Sequence, residues 1–236
     1  MRQVPQYVLI GNGRLARHFR HYFAGLGVAF KTWHRGQKVQ ILEQSLQKAT
    51  HILLLISDQA IEPFIDAHLQ DSDAVFIHCS GSLVSEKAYG VHPLMTFGIS
   101  LYAPEFYPQI PLVIDQDAPP FAELLPGLNH PHAYLSTALK PKYHAFCVLA
   151  ANFSCMLWQK LFRGFEAELQ LPKNLAHPFL LRQMSNLLED PERALTGPLV
   201  RNDQVTIQKN LDALAGDAFQ AIYQSFITCY QQEKSL

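Results

Sequence analysis

Several features that would narrow the function of a protein are missing from this sequence. Its four cysteines are scattered and form no C-x-x-C pair, so we expect no metal site and no disulfide framework, as in a reducing compartment. A formal net charge of −1 offers no basic surface for nucleic acid or anionic lipid. Uninterrupted apolar runs, such as Ile52 to Ile56, are much too short to cross a bilayer. With no apolar signal-peptide core near the N-terminus, the sequence predicts a cytoplasmic protein without nucleic-acid or membrane partners.

The first half of the chain alternates short apolar runs with segments of helical periodicity. We predict strands over residues 7–10, 28–33, 51–56, 74–78, 89–92 and 111–114. We predict helices over residues 15–26, 39–48, 61–69 and 119–127. A strand-helix alternation of this kind favours a parallel sheet with helices on its faces.

The character of the sequence changes near Ser136, and no strand is predicted from Pro141 onward. Helices are expected over residues 143–162, 175–188, 204–214 and 217–231, and Asp203 is a predicted N-cap. The predicted fold is therefore α/β, a Rossmann-like mostly parallel sheet followed by an all-α helical domain. We predict that residues 1–136 form an NADP-binding domain and residues 137–236 a helical substrate and dimerisation domain.

A glycine motif lies between the first predicted strand and the first helix. It reads Gly11-Asn12-Gly13-Arg14-Leu15-Ala16, in which Gly11 permits a tight turn, Gly13 lets a pyrophosphate approach the backbone, and Ala16 packs closely on the strand. The predicted cofactor contacts from this motif are Gly11, Asn12, Gly13, Arg14 and Leu15. The alternative interpretation is a structural turn that binds nothing.

The end of the second strand predicts which dinucleotide is bound. NAD-binding proteins usually carry an acid there, whereas this chain has His34 and Arg35, and an arginine can pair with the 2′-phosphate of NADP. Ligands of open α/β sheets bind outside the carboxyl ends of the strands, so Ile56, Ser57 and Ser80 are also expected to contact the cofactor. The serines could instead cap the helices that follow them.

Four stretches carry a resemblance to a known family: "HCSGS", "GVHPLMTF", "KPKYHAFCVLAANF" and "TGPLVRND". In these, the chain resembles an uncharacterised bacterial group that joins an NADP-binding Rossmann-like domain to a helical domain of unknown function. It is more distantly similar to pyrroline carboxylate reductase, the deazaflavin-dependent NADP oxidoreductases and the β-hydroxyacid dehydrogenases. The resemblance implies a cleft between two domains and a homodimer formed through the helical domain. The β-hydroxyacid dehydrogenases place a catalytic lysine four residues before an asparagine, but here Lys140 precedes His144 at that spacing.

Two histidines are the candidate catalytic residues. His144 opens the long helix and His92 ends a strand, and a histidine near a cleft can act as general acid toward a carbonyl or imine that accepts hydride. Asn152 and Arg201 are candidate substrate-binding residues, the arginine through a substrate carboxylate. The alternatives are packing or turn-fixing roles for the histidines, a helix–helix hydrogen bond for Asn152, and a loop ion pair for Arg201. The other histidines are expected at the surface, among them His18, His21, His130 and His132.

Two functions remain open at this level. The first is an NADP-dependent reductase or dehydrogenase that moves a hydride to or from a small carbonyl, imine or hydroxy substrate. The second is an NADP-binding regulatory or sensor protein without turnover. An S-adenosylmethionine enzyme is disfavoured, because Arg35 stands where such proteins carry an acid.

Overall fold

The computed structural model describes residues 4–235 of the chain and contains a seven-stranded sheet followed by helices. The strands are β1 (Tyr7–Ile10), β2 (Phe30–Trp33), β3 (His51–Leu54), β4 (Val75–His78), β5 (Tyr89–Pro93), β6 (Leu112–Asp115) and β7 (His132–Leu135). The helices are α1 (Arg14–Leu26), α2 (Val39–Leu46), α3 (Asp58–His68), α4 (Phe121–Leu124), α5 (Lys140–Cys147), α6 (Ser154–Ala167), α7 (His177–Glu189), α8 (Gln204–Ala213) and α9 (Phe219–Glu233). A π-helical segment, Val148–Phe153, joins α5 to α6, and short 3-10 turns cover Pro104–Gln109, Thr137–Leu139 and Lys173–Ala176.

The sheet order is β2-β1-β3-β4-β5-β6-β7, and every neighbouring pair is parallel except β5 with β6. This topology confirms the predicted Rossmann-like fold with a helical C-terminal region. The sequence did not predict β7, and the helix expected over residues 119–127 shrinks to the four residues of α4. Strand β7 lies at the sheet edge with three of its four residues exposed, so it lacks the alternating pattern of a half-buried strand.

Helices pack on both faces of the sheet and divide its side chains between two apolar clusters. Along β1, Tyr7 and Leu9 belong to one cluster, while Val8 and Ile10 belong to the other. Successive side chains of a strand point to opposite faces, so a strand buried on both sides reads as a continuous apolar run. That is why β1 and β3 were recognisable in the sequence.

Of the four histidines named as surface residues, His18 and His130 are buried instead. His18 is 1% exposed; its Nδ1 lies 2.9 Å from the Tyr107 hydroxyl and its Nε2 lies 3.1 Å from the Gly98 carbonyl oxygen. His130 is also buried, with Nδ1 2.9 Å from the carbonyl oxygen of Ile110. These ring nitrogens have partners distant in sequence, which no local pattern reveals.

The chain divides into two compact units, Met1–Met156 and Leu157–Leu236, and the division falls within α6. We refer to them as the α/β unit and the helical unit. The domain boundary predicted at residue 136 remains a prediction, although β7 is the last strand within residues 4–235.

The helical unit is held by a small number of specific contacts. Trp158 packs its ring against Phe162 and Phe179. Lys160 bridges Glu168 and Asp217. The predicted N-cap is confirmed, because the Asp203 carboxylate accepts a hydrogen bond from the backbone N–H of Thr206 at 3.0 Å.

A continuous helical stretch, Thr137–Ala167, is long and apolar enough to cross a membrane by length and composition alone. Apolar runs in the sequence did not point to it, because polar residues interrupt them. One such helix is weak evidence for membrane insertion. Its first turns take part in polar contacts of the α/β unit through Lys140 and Tyr143.

Candidate functional site

The glycine motif forms the floor of a groove at the carboxyl ends of β1, β2 and β3. Gly11 has φ +134°, and a Cβ there would lie 2.2 Å from the carbonyl oxygen of Leu55. Its N–H donates to the carbonyl oxygen of Trp33 at 2.8 Å. No other residue could therefore occupy position 11 without moving the backbone where these strands end.

Gly13 has a different reason to be glycine. It is the N-cap of α1 in an extended conformation, and a Cβ on it would meet no protein atom within 4 Å. The open space in front of Gly13 is the groove itself, and the first N–H groups of α1 begin there. The turn therefore leaves room for a phosphate to approach the backbone, as a dinucleotide cradle requires.

The groove has a volume of about 850 Å³. Its lining comprises Ile10, Gly11, Asn12, Gly13, Trp33, His34, Arg35, Gly36, Leu55, Ile56, Ser57, Ala60, Phe64 and His68. These side chains include no carboxylate. Seven of the predicted cofactor-binding residues thus come together in one groove, namely Gly11, Asn12, Gly13, His34, Arg35, Ile56 and Ser57.

Three predicted cofactor-binding residues do not line the groove. Leu15 packs against the apolar core, and Arg14 is exposed on the first turn of α1. The Ser80 hydroxyl donates to Asp58 Oδ2 at 2.6 Å and accepts from the N–H of Leu83 at 2.9 Å, so it holds the turn after β4. Ser57 behaves differently, because it lines the groove and makes no side-chain capping bond to α3.

The turn after β2 presents Arg35 to solvent at the end of the groove. The N–H of His34 donates to Gln37 Oε1 at 3.0 Å, and its ring Nδ1 accepts from the N–H of Gly36 at 3.2 Å. These bonds fix the turn around Arg35, while the guanidinium itself stays exposed. A fixed turn with an exposed guanidinium is suited to binding a phosphate group.

A second cleft, of about 660 Å³, contains both candidate catalytic histidines. Its lining includes His92, Thr96, Tyr143, His144, Cys147 and Asn152. The rings of His92 and His144 lie edge to face with their centroids 6.0 Å apart. All of these residues belong to the α/β unit, so the structure brings together three residues that the sequence singled out: His92, His144 and Asn152.

Gly81 makes the close approach of the two histidines possible. A Cβ at this position would lie 2.5 Å from His144 Cδ2 and 3.1 Å from His92 Nε2. Gly81 is buried in the turn that follows β4. The glycine of the "HCSGS" stretch is therefore explained by the two imidazoles that pack against it.

Burial dominates the electrostatics of His92. The pKa of His92 is lowered to about 4, chiefly by desolvation and in smaller part by the neighbouring His144 and Lys140. The neighbouring Tyr143 has a raised pKa, because of burial and because of its hydrogen bond with Cys147. Around neutral pH, His92 is thus a neutral imidazole beside a protonated phenol.

A buried ion pair lies behind the histidine cleft. Lys140 Nζ is 2.7 Å from Asp115 Oδ1, and both side chains are about 95% buried, with exposures of 4% and 5%. The approach lies outside hydrogen-bond geometry, so charge attraction joins the two groups. The second oxygen, Asp115 Oδ2, accepts the N–H of Gly90 at 2.7 Å. A side chain at position 90 would collide with both charged groups, which explains that glycine as well.

His78 completes this buried polar region. It is fully buried, and its Nδ1 accepts the N–H of Ser80 at 3.2 Å, which places its proton on Nε2. Within residues 4–235, that Nε2 has no hydrogen-bond partner. Desolvation and the charge of Lys140 lower the pKa of His78 to about 4, so it is neutral at physiological pH.

Sequence reasoning missed Tyr143, His78 and the pair of Lys140 with Asp115. Lys140 attracted notice only for its spacing to His144, and nothing in the sequence marked Asp115 as its partner. The remaining predicted site residue, Arg201, is exposed in the helical unit, where its backbone N–H donates to the carbonyl of Gly197.

The C-terminal part of the chain matches the model of a known protein family. Residues 115–228 match the model of a domain of unknown function, DUF2520. The match covers slightly less than half of the chain. Together with the Rossmann-like fold, it confirms the resemblance that the four sequence stretches indicated. Among curated proteins, none matches this sequence.

Solved structures with a similar fold include oxidoreductases, some of them in complex with NADPH or NAD⁺. A candidate NADP oxidoreductase from Bacteroides fragilis is 18% identical with a TM-score of 0.74, covering 97% of this chain and 98% of its own. A reductive aminase from Aspergillus terreus, in complex with NADPH and ethyl levulinate, is 12% identical with a TM-score of 0.63, at 98% and 93% coverage. An imine reductase variant from Myxococcus stipitatus, in complex with NAD⁺, is 13% identical with a TM-score of 0.54, at 99% and 94% coverage. At these identities the likeness establishes the fold, which accommodates either nicotinamide cofactor.

Proposed function

We propose that this protein is an NADP-dependent oxidoreductase that moves a hydride to or from a small carbonyl, imine or hydroxy substrate. The observation that carries the proposal is a glycine-floored groove ending at Arg35 and a histidine cleft within the same compact unit. The pyrophosphate would be held by the backbone around Gly11 and Gly13. When bound, the nicotinamide supplies or accepts the hydride, and the protein must supply the proton and hold the substrate.

Arg35 supports the preference for NADP. Its guanidinium is exposed at the end of a groove without carboxylates, so it can pair with a 2′-phosphate, whereas ribose hydroxyls would find no acidic acceptor. A hydrogen bond to a charged group contributes about 1.5–3 kcal/mol. We expect NADPH to bind more tightly than NADH by roughly ten- to a hundredfold.

The cofactor assignment is tested by titrating NADPH and NADH against the protein and two variants. Arg35→Asp should weaken NADPH binding and relatively favour NADH. Lys48→Asp makes the same charge change at an exposed position away from the groove and should alter neither affinity. Equal affinity of the unmodified protein for the two cofactors would show that Arg35 does not read the 2′-phosphate.

His144 is the proposed general acid or base, and Asn152, in the same cleft, is proposed to orient the substrate heteroatom. A panel of carbonyl compounds, with and without amines, would be screened by the loss of NADPH absorbance. His144→Ala should lower turnover by about 100- to 10,000-fold and leave NADPH affinity nearly unchanged. Full activity of His144→Ala would remove the residue from the mechanism. If NADPH binds but no compound in the panel is turned over, the sensor function becomes the better account.

We further propose a cytoplasmic homodimer formed through the predicted helical domain, residues 137–236, which includes the last residues of the α/β unit. Many large apolar side chains there are exposed, including Phe146, Leu149, Phe153, Leu175, Phe179, Leu181, Leu187, Leu188 and Phe226. Apolar area on this scale is typical of an interface. A second copy of the chain is favoured over lipid as the cover for these side chains. The reason is that Lys140, Tyr143 and His144, on the helical stretch Thr137–Ala167, contact Asp115, His92 and Gly81 of the α/β unit.

A further inference from the structure

Tyr143 makes the shortest polar contact to either candidate catalytic histidine. Its hydroxyl lies 2.7 Å from His92 Nδ1, and the two rings meet edge to face with centroids 5.5 Å apart. The contact joins β5 to α5 across 51 residues of sequence. The ion pair of Lys140 with Asp115 anchors the first turn of α5 and so holds Tyr143 in reach of His92.

The chemistry of the neighbouring groups decides which atom carries each proton. Tyr143 has one hydroxyl proton and two neighbours, His92 Nδ1 and Cys147. A neutral imidazole nitrogen is a good acceptor, whereas a thiol sulfur is a weak donor and a weak acceptor. The favourable arrangement is therefore O–H donating to Nδ1. In the reverse arrangement Nδ1–H would donate to the phenol oxygen, a poorer acceptor than an imidazole nitrogen, and the O–H would be left with only the weakly accepting sulfur.

We propose that Tyr143 is a positioning residue that holds His92 with its proton on Nε2, so that His92 offers an N–H donor at the edge facing Gly81 and His144. The imidazole edge with Nε2 and Cδ2 is the one that a Cβ on Gly81 would touch, at 3.1 Å from both atoms. The phenol therefore orients the ring at Nδ1, while the opposite edge of the ring faces the space that Gly81 leaves open.

This tautomer of His92 gives His92 and His144 different roles in the cleft. Resting on the function proposed above, His92 would hold the substrate oxygen or nitrogen by its Nε2–H, while His144 would exchange the proton. The charged and titratable groups around His92 are Tyr143, His144 and Lys140 on α5 and Asp58 on α3. Burial, His144 and Lys140 together outweigh Asp58 in setting the pKa of His92, so His92 stays neutral and suits a hydrogen-bond donor better than a proton donor.

The test is ¹⁵N NMR of the histidine side chains near neutral pH, with His92 assigned from the spectrum of His92→Gln. Long-range proton–nitrogen correlations distinguish a protonated Nε2 from a protonated Nδ1. The unmodified protein should show His92 with Nδ1 unprotonated and Nε2 protonated. Tyr143→Phe should convert this single form to a mixture of tautomers. Tyr134→Phe, which changes an exposed tyrosine of the same unit, should leave the His92 signals unchanged.

A protonated Nδ1 in the unmodified protein would overturn the proposal without any variant, as would a tautomer ratio that Tyr143→Phe leaves unchanged. The measurement needs no substrate, so its outcome is independent of whether turnover is found. If turnover is found and the tautomer is wrong, the oxidoreductase function stands and the role of Tyr143 falls. With a substrate in hand, Tyr143→Phe should lower kcat less than His144→Ala does and leave NADPH affinity unchanged.

Discussion

The α/β unit and the helical unit bury their apolar residues to very different extents. In the α/β unit, the central strands β1 and β3 are covered on both faces and two clusters of buried side chains run along the sheet. In the described part of the helical unit, residues 157–235, only Ala176, Ile207 and Ile227 are buried apolar side chains. Leu188 and Leu181 of the helical unit are 89% and 70% exposed.

The difference follows from how each unit is layered. A sheet between two layers of helices buries strand residues on both sides, so the α/β unit completes its own core. A few helices of about ten to fifteen residues enclose little volume, and small domains bury a smaller fraction of their surface. The α/β unit therefore buries a continuous apolar core, whereas the helical unit leaves much of its apolar surface exposed, which is the basis of the dimer proposal.

The largest expected effect comes from disrupting the proposed dimer interface of the helical unit. We expect light scattering at micromolar concentration to give the mass of a dimer. Leu181→Glu combined with Leu188→Glu should give monomer or aggregate, because two carboxylates cannot be buried in an apolar interface. Ile99→Glu, at a residue of the α/β unit that is 76% exposed, should leave the dimer intact. A monomer mass for the unmodified protein would contradict the dimer proposal.

The second effect concerns the ion pair inside the α/β unit. Asp115→Ala should lower the free energy of unfolding by about 3–5 kcal/mol, since it leaves the Lys140 ammonium buried without a partner. Asp115→Leu combined with Lys140→Met should recover much of this loss. Urea unfolding measures both variants. Lys160→Met removes a far more exposed ion pair of the helical unit and should change the unfolding midpoint little. A large effect of Lys160→Met would mean that the helical unit, and not the α/β unit, depends more on its ion pair.

The third effect is a loss of stability in mild acid. The pKa of His78 is about 4 in the folded protein, below the 6.5 of an unperturbed histidine, and His92 behaves likewise. As the pH falls from 6.5 toward 4, the unfolded chain binds protons that the folded protein does not. Stability should be fully present above that window and decline through it by about 1.4 kcal/mol per pH unit for each such histidine.

Urea unfolding at a series of pH values measures this decline. His78→Gln should make the slope shallower, because one of the two titrating groups is gone. His132→Gln, at an exposed histidine of the same unit, should keep the original slope. A stability that does not change between pH 6.5 and 4 would show that neither histidine is held neutral by burial.

The smallest expected effect lies in the helical unit. Asp203→Ala removes the N-cap of α8 and should lower Tm by roughly 2–4 °C. Glu192→Ala, at an exposed residue of the same unit, is the control and should not change Tm. A shift of equal size in both variants would mean that the cap contributes nothing specific.

Much of the fold and the groove could be predicted from the sequence, because the evidence for them is local. The apolar runs of β1 and β3 come from burial on both sheet faces, and Gly11 and Gly13 form a motif within a few residues. Asp203 was recognisable as a cap because it accepts from Thr206, three residues away. In each case the residues that determine the structure are neighbours in the chain.

The tertiary structure alone decided the composition of the histidine cleft and of the polar region behind it. His92 meets Tyr143 across 51 residues, and Asp115 meets Lys140 across a stretch that contains the unpredicted strand β7. Local patterns specify which face of an element is buried, but they do not specify which distant side chain is buried against it. That choice depends on strand order and on where α5 packs. The sequence by itself therefore determined the glycine-motif groove, whereas the packing of α5 on the sheet determined which residues meet in the histidine cleft.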